Sequence, residues 1–307
     1  MAMSSSSGST SRRTGGSAPR VPPEPLSPTG GPARTGRLVL VGTPIGNLND
    51  LSPRAVEALG AADVVCCEDT RRTGRLLQHI GVRAPSLRVV NDHTEEAAVA
   101  DVVACLDRGE VVAVVSDAGM PGISDPGERL VAAAVAHGYG VEVVPGPSAV
   151  ITALVASGLP AGRFVFEGFL PRKGSGRTAR LAAVAVEPRT VVLYEAPHRV
   201  ARTLSDLATA CGAARRVALA RELTKLHEEH WRGSLGDAVA HVAAVEPRGE
   251  YVLVIDGAPA PDEVTDTVIA AALADAKSMG ATTRDAVAEV AAALGVAKRR
   301  VYDLATG

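Results

Sequence analysis

Residues 110–130 read EVVAVVSDAGMPGISDPGERL, and the order of residue types in this stretch decides the architecture. The run Val111–Val115 is apolar throughout, with no polar alternation. A strand of that kind is covered on both faces, as in a parallel sheet buried between helices. It ends in a loop containing Gly119, Gly122, Gly127, Pro121, Pro126, Asp117 and Asp125. Asp125-Pro126 then reads as a helix start, with Asp125 as N-cap and proline in the first turn. The same texture extends to either side. LVLVG (38–42), DVVCC (63–67), LRVV (87–90) and VEVVPG (141–146) alternate with helical segments such as SPRAVEALGAA (52–62) and TEEAAVADVVACLDRG (94–109). Strand–helix alternation predicts a parallel α/β domain over residues 37–158.

A second α/β block follows over residues 159–257. Its strands are RFVFEG (163–168), TVVLYE (190–195), RVALAR (216–221), EHWRG (229–233) and EYVLVID (250–256), with helices at 197–210 and 234–244. No crossover helix fits between the strands around 216–233, so some antiparallel pairing is expected there. Pro259 and Pro261 mark a linker, and residues 264–307 read as a three-helix module. Thr283 is its expected middle N-cap and Gly295 a stop before the last helix. ALGVAKRRVYDL (293–304) resembles the second half of a helix-turn-helix. Residues 1–36, rich in Ser, Gly, Pro and Arg, have almost nothing to bury and are expected to be a disordered tail.

Composition excludes several classes. At 307 residues, 46% hydrophobic and 21% charged, the chain suits two globular domains. No apolar run reaches membrane-spanning length. With 34 acidic against 32 basic residues, an affinity for polyanions must be local. The four cysteines form no C-x-x-C, which argues against a disulfide scaffold or a zinc site. If Cys66 and Cys67 lie in a strand, they face opposite ways. A cytoplasmic protein without a metal is expected.

In an open α/β sheet, ligands bind beyond the carboxyl ends of the strands, so the residues after each strand carry the chemistry. The loop at 116–127 has neither G-x-x-x-x-G-K-[ST] nor the dinucleotide G-x-G-x-x-G. Its paired acids suit a ligand that is cationic or rich in hydroxyl donors; the same glycines and prolines also serve purely structural loops.

The loops GTPIGNLND (42–50), CEDTRRT (67–73), SDAGMPGISDPG (116–127), VPGPSA (144–149), FEGFLPRKG (166–174), YEAPHR (194–199) and RELTKLHEE (221–229) together resemble the ribosomal RNA small subunit methyltransferase I family of the tetrapyrrole methylase superfamily. The resemblance covers roughly residues 37–257, plus a C-terminal helical segment of the type that family carries. It implies a two-domain tetrapyrrole-methylase-like α/β fold with the cofactor between the domains, usually in a homodimer. The implied reaction is S-adenosylmethionine-dependent 2′-O-methylation of a cytidine in the decoding region of 16S rRNA, with 16S rRNA or the small ribosomal subunit as partner. It places Asp117, Ala118, Gly119, Met120, Ser148, Ala149, Pro44 and Tyr194 against the cofactor. The other substrates within that superfamily are a tetrapyrrole or a protein.

Methyl transfer to a ribose hydroxyl needs alignment and help with a proton. Glu68 or Asp69 is the expected base, with Arg71 on the target phosphate; Lys173, Glu195 and His198 are the rivals. The structural alternative is that EDTR caps the following helix and that His198 opens another. Arg172, Lys173, Arg177 and Arg180 form one basic cluster for RNA, and Lys298, Arg299 and Arg300 a second. Over residues 262–307, seven acids against five bases disfavour a DNA-reading regulator. Aromatic residues are scarce, so base stacking is expected to contribute little.

Overall fold

The computed structural model describes residues 36–83, 85–91, 94–260 and 264–306. The N-terminal tail expected at 1–36 falls, but for its last residue, outside the described residues, as do Asp92, His93 and the end of the linker at 261–263. The first sheet is built from β1 (Arg37–Val41), β2 (Val64–Cys67), β3 (Ser86–Val89), β4 (Val111–Val114) and β5 (Gly140–Val144). They lie in the order β3-β2-β4-β1-β5, every neighbouring pair parallel. Helices α1 (Pro53–Gly60), α2 (Thr70–His79), α3 (Glu95–Asp107), α4 (Glu128–Ala136) and α5 (Ala149–Ala156) follow the five strands in turn.

Alternation along the strands explains their continuous apolar runs. Leu38, Leu40 and Cys66 pack with Val102 and Leu106 of α3 and Leu130 of α4. Val39, Val41 and Cys67 pack on the other face with Leu59 of α1 and Leu77 of α2. The chain leaves β1 toward α1 on one face and leaves β4 toward α4 on the other. A crevice therefore opens where the two strands end.

The second sheet has the order β6-β7-β10-β8-β9. Its strands are β6 (Phe164–Phe169), β7 (Thr190–Glu195), β8 (Arg216–Arg221), β9 (Glu229–Ser234) and β10 (Tyr251–Ile255). Only β6 and β7 pair in parallel; β10 runs antiparallel to β7 and β8, and β8 to β9. Helices α6 (Ser175–Val186), α7 (Pro197–Cys211) and α8 (Leu235–Ala244) complete this block. On one face Leu193, Leu219 and Leu253 pack with Leu204, Leu207 and Leu235. On the other, Val192, Ala218 and Val254 receive Val150, Ala153 and Leu154 of α5, together with Ile45. The almost wholly apolar α5 thus binds the two blocks into one body.

Three local expectations are corrected. Helix α6 is absent from the sequence reading: it starts at Gly174 (φ +82°) without a side-chain cap. Asp125-Pro126 does not start α4, whose N-cap is Gly127. Instead the buried Glu95 Oε1 accepts the amides of Gly127 and Arg129, both at 2.9 Å, supplying from α3 the cap that the local sequence lacks. In the C-terminal module, the N-cap is Thr282 rather than Thr283, because the Thr282 hydroxyl accepts the amide of Asp285. Gly295 ends that helix in the left-handed conformation (φ +65°). The module's helices, α9 (Asp266–Ser278), α10 (Thr283–Leu294) and α11 (Lys298–Thr306), enclose their own core around Ile269, Val290 and Val301.

All four cysteines are free, and only Cys211 is not fully buried. Burial pushes the Cys66 thiol up to about 12. At pH 8 a chromogenic disulfide reagent is expected to leave Cys66 unlabelled in the native protein and to react with it promptly after denaturation.

Candidate active site

The loops after β1, β4 and β5 meet at the crevice. Gly42 and Gly146 cross so closely that a Cβ on Gly42 would lie 2.6 Å from the Gly146 backbone and 2.7 Å from Met120 Sδ. No larger residue fits at either position without moving a strand end. Thr43 then forms a two-way backbone bridge with Gly119, at 2.8 and 3.2 Å. Its buried hydroxyl donates to Ser116 O at 3.2 Å. Gly119 has φ +90°, a conformation that a side chain would strain. The loop of 116–127 is thereby stitched to the loop of 42–50.

Between these loops and the second sheet lies a cavity of about 440 Å³. That volume is in the range of sites that enclose a small molecule. Of the residues expected at the cofactor, Ala118, Gly119, Met120, Ser148, Ala149 and Tyr194 line it, whereas Pro44 and Asp117 do not. Pro44 is buried in the loop beneath. Asp117 is placed immediately before the lining segment: its amide donates to Glu68 Oε1 at 2.9 Å and its Oδ2 pairs with Arg72 at 3.3 Å. Asp117 Oδ1 is buried with no hydrogen-bond donor among the described residues.

Burial is the main cause that lifts the Tyr194 phenol to about 12, with the negative charge of Asp125 adding to it. Tyr194 is therefore a neutral hydrogen-bonding group at physiological pH. Phe166 meets its ring edge-on at 5.0 Å and Phe169 at 5.5 Å. The scarce aromatic residues gather here, and Phe169 stays 52% exposed at the cavity mouth, which leaves one ring available to a base.

Glu68, Asp69, Arg71 and Lys173, the residues that the sequence offers for catalysis, do not line the cavity. Glu68 holds the Asp117 amide. Asp69 is the N-cap of α2 and accepts the Arg71 amide at 2.8 Å. The hydrogen bond from the Arg71 side chain is the main cause holding the Asp69 carboxyl below its ordinary value, which makes it a weak base. Glu195 is buried against Arg199, Thr203 and the Ala196 amide. Glu195 and His198 both line the cavity, His198 from the first turn of α7. Lining residues that the sequence did not single out include Ile45, Ser124, Lys225 and Glu250. Ser124 has φ +62°, a strained conformation that no local sequence signal announces.

The basic residues divide. Arg172 and Lys173 are exposed just beyond Phe169. Arg177 is not a surface cation: at 4% exposure it donates to Asp206, Thr203 and the Pro171 carbonyl. Arg180 pairs with Glu167 at 3.1 Å. Lys298 and Arg299 are exposed on α11, while Arg300 is tied to Asp266 at 2.7 Å. Among the described residues, no group of three or more metal-ligating side chains exists, and no helix is long and apolar enough to cross a membrane.

A parallel five-stranded sheet and a mixed five-stranded sheet are thus joined over this cavity. Residues 37–239 match the tetrapyrrole (corrin/porphyrin) methylase family. The chain belongs, within these methylases, to the ribosomal RNA small subunit methyltransferase I family. It is 45% identical to the Synechocystis sp. protein of that name over 88% of this chain and 97% of that one. Identity to the Mycobacterium bovis protein of the same name is 48%, over 88% and 94%. In fold it is similar to Thermus thermophilus uroporphyrin-III C-methyltransferase complexed with S-adenyl homocysteine: TM-score 0.51, 23% identity, over 72% of this chain and 97% of that one.

Proposed function

We propose that this chain uses S-adenosylmethionine to methylate the 2′-hydroxyl of a cytidine in the RNA of the small ribosomal subunit. The observation that carries this reading is the cavity, where the lining segments 118–120 and 148–149 and Tyr194 converge from both sheets. The names of the relatives support the rRNA substrate, and the solved homologue's bound S-adenyl homocysteine supports the cofactor. When bound, the cofactor supplies a methyl group already activated on a sulfonium. The chain's own residues then have to hold, align and deprotonate. Ala118, Gly119, Met120, Ser148 and Ala149 offer close backbone approach and Tyr194 a neutral polar edge, with Asp117 just before the lining segment. His198 faces the same cavity and is the side chain we assign to accept the hydroxyl proton. Arg172 and Lys173 contact RNA phosphates, with Phe169 beside an extruded base. The enzyme works in the cytoplasm as a homodimer; the half-exposed Val143 and Ile151 leave apolar surface for a second copy.

The direct test is transfer from labelled S-adenosylmethionine to small subunits lacking the modification, with the product mapped by mass spectrometry. One ribose-methylated cytidine is the expected result; transfer only to a tetrapyrrole or a protein would overturn the substrate. For RNA binding, Lys173→Ala is expected to weaken affinity several-fold. It should also lower the slope of log affinity against log salt by about 0.7, the contribution of one single-strand phosphate contact. An unchanged slope would remove Lys173 from the interface.

A further inference from the structure

The loop after β8 is strained and tied across the cavity mouth. Glu222 has φ +51° and Thr224 φ +64°, two non-glycine residues in a left-handed conformation within three positions. A β-branched threonine rarely adopts it unless its surroundings impose it. Several contacts do. The Thr224 hydroxyl accepts the amide of Asn47 at 3.0 Å, a bond from the loop after β1 to the loop after β8. The Thr224 amide donates to Glu228 at 2.6 Å. Lys225 Nζ donates to Glu222 at 2.9 Å and to Glu250 at 2.7 Å. The approach is close: a Cβ on Gly46 would lie 2.5 Å from Lys225 Cγ and 2.8 Å from Thr224 Oγ1. Ile45 on one side of this contact, and Leu223 and Lys225 on the other, all line the cavity.

We propose that Thr224 is a positioning residue which pins the two loops together, that Lys225 braces the loop after β8 against Glu222 and Glu250, and that the two thereby fix the width of the cavity and set its affinity for the cofactor. This rests on the cavity being the S-adenosylmethionine site. The pin acts by pre-organisation: a cleft already held at its bound width loses less freedom when the ligand enters. Lys225 keeps its charge there. Burial opposes the charge, but the bonds to Glu250 and Glu222 raise its pKa overall.

The test compares Thr224→Val, Lys225→Met and Lys225→Arg in the full chain. Affinity is read by calorimetry with S-adenosylhomocysteine, and kcat and KM are read on subunits. Thr224→Val, which keeps shape and removes the acceptor, is expected to weaken binding about fivefold, the size of one hydrogen bond. Lys225→Met should weaken it about tenfold, and Lys225→Arg should recover most of that. In each case the cofactor KM rises while kcat at saturation stays within about twofold of wild type. Wild-type affinity in Thr224→Val and Lys225→Met, or a fall in kcat with KM unchanged, would overturn the proposal. If Lys225→Met does not fold, Thr224→Val alone decides. Failure of the wild-type chain to bind S-adenosylhomocysteine would sink the cofactor reading itself, a result distinct from either.

Discussion

His198→Ala is expected to lower kcat for RNA methylation by about 10²–10⁴-fold, the usual contribution of a positioned proton acceptor. S-adenosylhomocysteine should still bind. Of the other ionisable side chains at the cavity, a set that also holds Asp125, Lys225 and Tyr251, three are poorly suited to take the proton. Glu195 accepts from Arg199 at 3.1 Å, from the Thr203 hydroxyl at 2.6 Å and from the Ala196 amide at 2.9 Å, with its side chain fully buried. Glu250 is paired with Lys225, and the phenol of Tyr194, near 12, is a poor base. Glu195 also fixes the first turn of α7, and so the place of His198 on it. Glu68→Gln is the contrasting variant: the amide oxygen can still accept from Asp117, so near wild-type turnover is expected. A dead Glu68→Gln enzyme beside an active His198→Ala enzyme would return the base to the loop after β2. Comparing kcat and kcat/KM for both variants settles it.

Much of this was legible in the sequence, for physical reasons that also mark where legibility stops. A sheet covered on both faces must be apolar at every position, so VVAVV and LVLV stand out without any alignment. Such sheets place ligands at strand ends, which marks the loops; the family resemblance then narrows them to 118–120, 148–149 and Tyr194, and these segments line the cavity. Features made by distant pairs were hidden. Glu95 caps α4 from α3, 32 residues before Gly127, and nothing near Gly127 announces it. Lys225 and Glu250 reach the cavity only because β8 and β10 run antiparallel, which brings their loops to one edge. The positive φ of Ser124 and Thr224 leaves no trace where glycine is absent. Thr283 reads as the cap in sequence, but the pairing of Thr282 with Asp285 moves the cap one residue earlier.

Arg177 shows how a charge pattern misleads, and it gives the second large expected effect. RKGSGR reads as a basic loop for RNA, yet on α6 the guanidinium turns inward. It donates to Asp206 at 2.8 Å, Pro171 O at 3.0 Å and Thr203 at 3.0 Å. Thr203 in turn donates to Glu195, so Arg177 anchors the polar core under α7. Arg177→Met keeps the length and removes the charge, leaving Asp206 and the Pro171 carbonyl without it. Breaking a fully buried pair typically costs about 3–5 kcal/mol. The Asp206 side chain is 33% exposed and lies 3.7 Å from Arg202, so solvent and that neighbour screen part of the loss. About 2–3 kcal/mol is the expected fall in stability, which for a domain of this size lowers Tm by roughly 5–10 °C. Lys173→Ala, four residues earlier and exposed, should leave Tm within about 1 °C, since surface changes rarely matter to folding. The pair separates the two meanings of a basic residue: one variant is expected to lose stability and keep the salt slope of RNA binding, the other the reverse. An Arg177→Met protein that melts like wild type but binds RNA with a lower slope would put this side chain on the RNA surface and overturn its place in the core.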